Sequence, residues 1–479
     1  MIDATAAVST RTAVARGISR LAALGGARLA ALGDWMQRRP KRIQAIQWCV
    51  VAAYAILVVA PAFLPLPADD AHWYNDLVVL AQWLFWGIWW PFVIASMLVF
   101  GRAWCGVFCP EGTLTEAASR IGRRRAVPRW MKWGGWPFVA FSLTTVYGQL
   151  VSVYQYATAT LLVLGGSTVA AIGVGLVYGG GKRVWCRHLC PVNGVFAALS
   201  RLSPLHFRVD ASAWTANAGR IPVHPVNCAP LVRIRRMTGP AECHMCGRCS
   251  GLRGAIRLAA RPVNAELAAL GPESARAWDA ALIVFGMIGL ALGAFEWSAT
   301  PAFVALRAAA VTVVADAGPA WLLADNAPWW LLTNYPAAHD VFTWLDGLLV
   351  VVWIFGTALV VGGWTSLWLL VAGRFVPGRA SANAIALAYA LTPLAAAGLF
   401  VGLTGLTTTL AHAEGMRLSW LPAARATLFA LGAAWTLRLA WRQLRGRVTG
   451  APQALALSAF AIAVAGILAA WIPFVFRLG

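Results

Sequence analysis

The chain has 479 residues, 60% of them hydrophobic and 12% charged, with 26 Trp and a mean hydropathy of +0.67. That composition excludes an ordinary soluble globular domain and points to an integral membrane protein. The net charge of +21 fits nucleic-acid binding, anionic lipid contact or basic cytoplasmic loops, and the positions of the charges decide among them.

Residues 1–42 carry scattered Arg (Arg11, Arg16, Arg20, Arg28, Arg38, Arg39 and Arg42) without a continuous apolar core or cleavage site. No cleavable signal is therefore predicted, and the N-terminus is expected to stay in the cytoplasm. Residues 10–37 mix Arg with Leu, Ile, Ala and Trp35, which fits either a basic amphipathic helix on the membrane or a partly disordered leader.

Apolar stretches of the ~20 residues needed to cross a bilayer run over 43–64, 77–100, 133–153, 157–178, 280–295, 342–362, 383–410, 424–441 and 453–476. The prediction is an all-α polytopic membrane protein of about nine transmembrane helices, and Cys243, Cys246 and Cys249, in C-x2-C-x2-C spacing, add a cytoplasmic loop region that reads as ferredoxin-like and iron-sulfur binding. Residues 300–323 fit a re-entrant or interfacial helix, and 364–372 fit an extension of the span before them.

Lys and Arg near the spans set the orientation. Arg102, Arg120, Arg123, Arg124, Arg125, Arg129 and Lys132 fall in 101–132, and fourteen bases fall in 182–276 against Asp210, Glu242, Glu266 and Glu273. Both loops read as cytoplasmic. Asp69, Asp70 and Asp76, and later Glu296, Asp316, Asp325 and Asp340 with Arg307 as their one base, mark loops that read as outward. Arg374, Arg379, Arg442, Arg445 and Arg447 continue the alternation and place the C-terminus outside. This pattern accounts for the basic excess through membrane topology, without nucleic acid. The organisation read from it is a basic N-terminal segment 1–42, a four-helix membrane unit 43–181, a cytoplasmic iron-sulfur region 182–278 and C-terminal membrane helices 279–479.

Eight of the nine Cys lie between Cys105 and Cys249. Trp104-Cys105-Gly106-Val107-Phe108-Cys109-Pro110 and Trp185-Cys186-Arg187-His188-Leu189-Cys190-Pro191 share the form W-C-x3-C-P, each just past a span, which hints at a duplicated hairpin. Cys four apart lie on one face of a helical turn, and the Pro opens a segment whose free amides face an anion. Cys243, Cys246 and Cys249 form a C-x2-C-x2-C run preceded by Cys228. In bacterial ferredoxins such a run wraps three corners of a [4Fe-4S] cube with the fourth thiolate coming from elsewhere. The trailing C-P is missing after Cys249, so this loop is expected to serve one cluster. The eight thus sort into two [4Fe-4S] sets, Cys105, Cys109, Cys186 and Cys190, and Cys228, Cys243, Cys246 and Cys249, all as ligands of cluster iron. Structural zinc is the competing reading of four thiolates. Cys49, inside the first span, reads as a small core residue.

These motifs resemble the membrane-bound 4Fe-4S polyferredoxin family, namely the polyferredoxins that accompany periplasmic nitrate reductase and nitrous-oxide reductase maturation. The resemblance covers residues 43–262. The long form with extra C-terminal helices is similar in layout to the polyferredoxin component of bacterial ferrous-iron uptake systems built around a high-affinity iron permease. It implies a multi-pass protein of the bacterial inner membrane, an electron-transfer component rather than a stand-alone enzyme. Its implied partners are a redox donor on the cytoplasmic or quinone side and a periplasmic acceptor or component of the iron-permease system.

His188 and His244 lie inside the Cys motifs, where they would donate hydrogen bonds to cluster sulfur or sit solvated in loops. His72, His339 and His412, with Asp69, Asp70, Asp340 and Glu414, fall on the outward side, as iron or electron sites or as ordinary interfacial residues. No C-x-x-C-H is present, which excludes c-type haem. Trp83, Trp86, Trp89, Trp90, Trp329 and Trp330 read first as interfacial anchors, with an electron path as the alternative. Two cytoplasmic clusters do not by themselves cross ~30 Å of hydrocarbon; a haem, a quinone or a partner subunit would bridge it, and no sequence feature names one. The rival functions are a transporter formed by the C-terminal helices, with clusters as sensors, and a redox-sensing regulatory or assembly protein. The later helices carry few ionisable residues within their spans, which favours electron transfer over transport.

Overall fold

The computed structural model describes residues 25–68, 70–221 and 225–476. Most of the predicted N-terminal helix and Asp69 lie outside the described residues. Its described part, α1 (25–38), is helical. It rests on the iron-sulfur region: Ser250 Oγ donates to Asp34 Oδ1 at 2.8 Å, and Leu29 and Met36 pack with Phe207, Ile256 and Leu258.

Helix α2 (Pro40–Val59) starts on Pro40, whose missing N–H falls where the first turn has no partner for it. Helix α3 (Leu77–Phe100) is capped by Asp76, which accepts from the N–H groups of Val78 and Val79 at 2.7 and 3.0 Å. Then follow α4 (Pro110–Ile121), α5 (Trp136–Leu150), α6 (Ala157–Val177) and the short α7 (Val184–His188) and α8 (Asn193–Ser200). Strands β1 (Leu205–Val209) and β2 (Ile256–Ala260) pair antiparallel with Val209 opposite Ile256. The long excursion between them carries Cys228, Cys243, Cys246 and Cys249.

The C-terminal part comprises α9 (Ala277–Glu296), α10 (Pro301–Ala317), the hairpin β3 (Asn334–Tyr335) with β4 (Asp340–Val341), α11 (Trp344–Arg374), α12 (Ala380–Ala413), α13 (Leu421–Arg445) and α14 (Ala451–Val475). Residues 364–372 extend α11, as the sequence allowed.

Seven described helices are long and apolar enough to cross a membrane: α2 with the single turn Ala60–Phe63 that follows it, α3, α6, α9, α11, α12 and α14. Two of the nine expected spans fall outside that set for different reasons. Helix α5 has 15 residues, short of the ~20 a span needs. Helix α13 has 25 residues but carries Arg425, Arg438, Arg442 and Arg445. Residues 300–323, read as a re-entrant or interfacial helix, form the shorter α10, which buries Phe303 alone and ties Arg307 Nε to Asp346 Oδ1 at 2.5 Å.

One apolar core runs through both parts of the chain. Met97 of α3 and Leu199 of α8 pack with Ile283 and Met287 of α9, Leu387 and Tyr389 of α12 and Trp471 of α14, all nearly fully buried. The opposite faces expose large apolar side chains such as Ile56, Leu359 and Val360, an arrangement that lipid satisfies and water penalises. Helix α4 lies flat on α6 because Gly175 has no side chain: a Cβ there would stand 2.5 Å from the Thr115 carbonyl oxygen. That contact fixes the helix that begins at Cys109.

Candidate metal centres

The two W-C-x3-C-P segments fold alike. The Cys109 N–H donates to the Trp104 carbonyl at 2.9 Å and the Cys190 N–H to the Trp185 carbonyl at 3.0 Å. Both bonds span five residues, a turn wider than an α-turn. After it the backbone of Cys109 turns extended and Pro110 opens α4, so the Cys109 sulfur accepts from the free Gly112 N–H at 3.4 Å. Cys190 receives the Val192 N–H in the same way. These are the amides that the Pro was expected to expose.

Cys105, Cys109, Cys186 and Cys190 line one cavity of about 210 Å³, together with Glu111 and the rings of Trp89 and Trp104. Cys228, Cys243, Cys246 and Cys249 line another, with His244 in its wall. In this second site the chain winds back on itself through Met245 and Gly247, at φ +50° and +76°, and the Met245 N–H donates to the Cys243 sulfur at 3.3 Å. Among the described residues no group of three or more His, Cys, Asp or Glu closes in as a single metal ion requires.

Burial disfavours the thiolate form at six of these cysteines. Burial pushes Cys186 and Cys243 up to about 12, and it drives Cys109, Cys190, Cys228 and Cys249 upward as well, helped by neighbouring thiols. A thiolate here needs bound cationic metal beside it.

Cationic groups already surround the two cavities. Arg102 and Arg183 are 2% and 1% exposed. Arg102 donates to the Ala241 carbonyl and to Asn193 Oδ1, both at 2.7 Å, and its Nε has no partner among the described residues. Arg183 donates to the Cys105 carbonyl and, from Nε, to Glu116 Oε2 at 2.8 Å, while its Nη2 has no partner among them. Burial alone would raise the Glu116 carboxyl, but Arg183 and Arg248 beside it hold it down to about 2. His244 is buried with neither ring nitrogen hydrogen-bonded among the described residues, and burial with nearby Arg102 and Arg183 lowers its pKa well below the ordinary value. Buried donors and buried cations of this kind call for an anionic acceptor. An iron-sulfur group ligated by four thiolates is anionic and carries sulfur acceptors, so the residues present fit it.

The two sites touch. A Cβ on Gly106 would stand 1.9 Å from the His244 carbonyl oxygen and 2.9 Å from the Cys246 nitrogen, so the two cysteine segments meet backbone to backbone. Gln47, in the middle of α2, donates to the Gly106 carbonyl at 2.9 Å and pins the junction from the bundle side.

Other residues singled out in the sequence lie elsewhere. Cys49 is exposed on the outer face of α2 rather than in the core. His188 is half-buried, and burial with Arg187 and Lys132 pushes it down to about 4. His72 Nδ1 lies 3.0 Å from Glu414 Oε2, joining the loop before α3 to the end of α12. Asp340 accepts from the Tyr156 hydroxyl at 2.8 Å. Trp86 is buried, while Trp329 and Trp330 are exposed as anchors would be. Arg102, Arg183, Glu111 and Glu116 were missed by sequence reasoning, which counted the two arginines as loop charges. The available signal was their repetition, since each stands three residues ahead of the first Cys in R-x-W-C-x3-C-P.

Fold and sites together define a helical protein with membrane-length helices and 4Fe-4S binding segments. A family model described as a 4Fe-4S binding domain matches residues 82–128 and 162–210, one match around each C-x3-C-P motif. Cys228, Cys243, Cys246 and Cys249 lie beyond both matches. A relative in Escherichia coli (strain K12), named "Putative electron transport protein YccM", is 25% identical over 188 residues, covering 33% of this chain and 50% of the relative. The chain thus spans about half the length of the curated relative it matches. No solved structure matches.

Proposed function

We propose that this chain is an electron-transfer protein of the bacterial inner membrane that binds two 4Fe-4S clusters and passes single electrons toward a periplasmic-side acceptor. The observation that carries this reading is the gathering of eight cysteines into two fours, each round its own cavity and in contact through Gly106 and His244. When bound, the clusters supply reversible one-electron storage. Cys105, Cys109, Cys186 and Cys190 hold one, and Cys228, Cys243, Cys246 and Cys249 the other. The N–H groups of Gly112, Val192 and Met245 are aimed at ligand sulfur, and the burial of both sites keeps water out.

A row of touching rings supports the direction of transfer. Trp104, next to Cys105, meets Trp89 at 5.3 Å, Trp89 meets Phe85 at 5.8 Å, Phe85 meets Trp86 at 5.1 Å, and Trp86 meets Tyr154 at 4.6 Å between ring centres. Trp86 and Tyr154 also line a cavity of about 600 Å³ with Gln149, Asp340, Thr408 and Arg425, at the ends of the helices away from Cys105. An acceptor docking there would lie one layer of side chains from the first cysteine cavity. Iron uptake with a high-affinity permease is the pathway we assign, on the resemblance in layout.

The test is transfer across a bilayer. In proteoliposomes loaded with a reductant, the protein should reduce a membrane-impermeant oxidant outside, and Cys186→Ser should abolish this. Vesicles that behave like protein-free ones would contradict the reading.

A further inference from the structure

The repeated arginines stand between the two cysteine sites rather than beside one each. Arg102 lines the first cysteine cavity, donates to Asn193 just past Cys190, and donates to the Ala241 carbonyl just ahead of Cys243. Arg183 donates to the Cys105 carbonyl of the first segment and shares Glu116 with Arg248 of the second. The His244 backbone abuts Gly106 at the same junction. The two guanidinium groups therefore flank the junction where the segments touch, and each retains one N–H without a partner among the described residues.

Their surroundings make them unequal. Arg183 shares Glu116 with Arg120 and Arg248, at 2.8 Å from each of Arg183 and Arg120 and 2.7 Å from Arg248, so its charge is matched in part by a carboxylate. Arg102 forms no ion pair among the described residues, and it donates to the neutral oxygens of Ala241 and Asn193. A buried, hydrogen-bonded cation without a carboxylate is retained only if another anion compensates it.

We infer that Arg102 and Arg183 are positioning residues shared by both cysteine sites, with Arg102 as the main charge that raises the reduction potentials of the two clusters together. This rests on the proposed binding of two clusters. Each site gains or loses one electron, with no bond made or broken, and a positive charge between the sites favours the more negative, reduced form of both. Because Gly106 lets the segments touch, the sites also lie close enough for their unpaired spins to interact when both are reduced.

The experiment is a potentiometric titration of the detergent-solubilised full chain, followed by electron paramagnetic resonance, with iron and sulfide counted in the same samples. Arg102→Gln should lower both midpoints, each by roughly a tenfold change in the reduced-to-oxidised ratio at fixed ambient potential, about 59 mV for a one-electron couple. Arg102→Lys, which keeps the charge, should restore most of the shift, as a merely structural role would not. The fully reduced wild-type protein should give a broadened, interacting spectrum, a readout that does not depend on any variant folding. A shift confined to one midpoint, no shift at all, or two independent signals at full cluster content would overturn the inference. A chain without iron and sulfide would instead sink the cluster reading beneath it.

Discussion

Arg183 and Glu116 meet at 2.8 Å with their side chains 1% and 4% exposed, and Arg248 of the second cysteine loop bonds the same carboxylate at 2.7 Å. One acid therefore clamps the first cysteine segment to the second. Replacing Glu116 by Ala leaves Arg183 buried without its counter-charge, at a cost of about 3–5 kcal/mol. Thermal unfolding of the solubilised protein should show a large drop, and the loop carrying Arg248 should become the first protease-sensitive segment. An unchanged midpoint would show that the clamp carries no weight.

The same carboxyl gives a pH signature. Folding holds Glu116 at about 2 against an ordinary 4.5, so its stabilisation is fully present above about 4.5 and lost as pH falls through 2. The two values correspond to about 3 kcal/mol. The unfolding midpoint should decline through that acid window in the wild type and decline less in Glu116→Gln. Parallel acid profiles would contradict the assignment.

Cys228 and Cys49 separate ligand from bystander. Cys228 lines the second cavity with the three cysteines of the C-x2-C-x2-C run, and Cys49 is exposed on α2. Cys228→Ala should remove about half the iron and sulfide, whereas Cys49→Ala should leave both unchanged. Equal losses from the two variants would refute the grouping.

Gly175 tests how α4 is placed. Its missing side chain lets the Thr115 carbonyl approach to what would be 2.5 Å from a Cβ. Gly175→Leu must push α4 off α6, an overpacking that costs about 1–3 kcal/mol. Since α4 begins at Cys109, the variant should lose iron from the first site while the second keeps its content.

Much of the site is written locally. The spacing of the cysteines sorts them into the same fours that line the two cavities, because the W-C-x3-C-P turn closes on itself from Trp104 to Cys109 and from Trp185 to Cys190. What spacing does not contain is how distant segments meet. Arg102 and Arg183 look like topology-setting loop charges, and only the packed structure puts them between the sites. Gln47 looks like a stray polar residue in a span, yet it holds the Gly106 carbonyl. The apolar runs at 133–153 and 424–441 form α5, which ends at 15 residues, and α13, which carries four arginines, and neither joins the seven helices of membrane-crossing length and composition. Trp86 reads as an interfacial anchor until the tertiary fold buries it against Phe85 and Tyr154.

The most direct test of the central claim is iron and acid-labile sulfide per chain on anaerobically purified, detergent-solubilised protein, with zinc measured in the same sample. Two four-thiol sites predict about eight of each and no stoichiometric zinc. Stoichiometric zinc without sulfide would contradict the electron-carrier account and make the same cysteines structural zinc ligands.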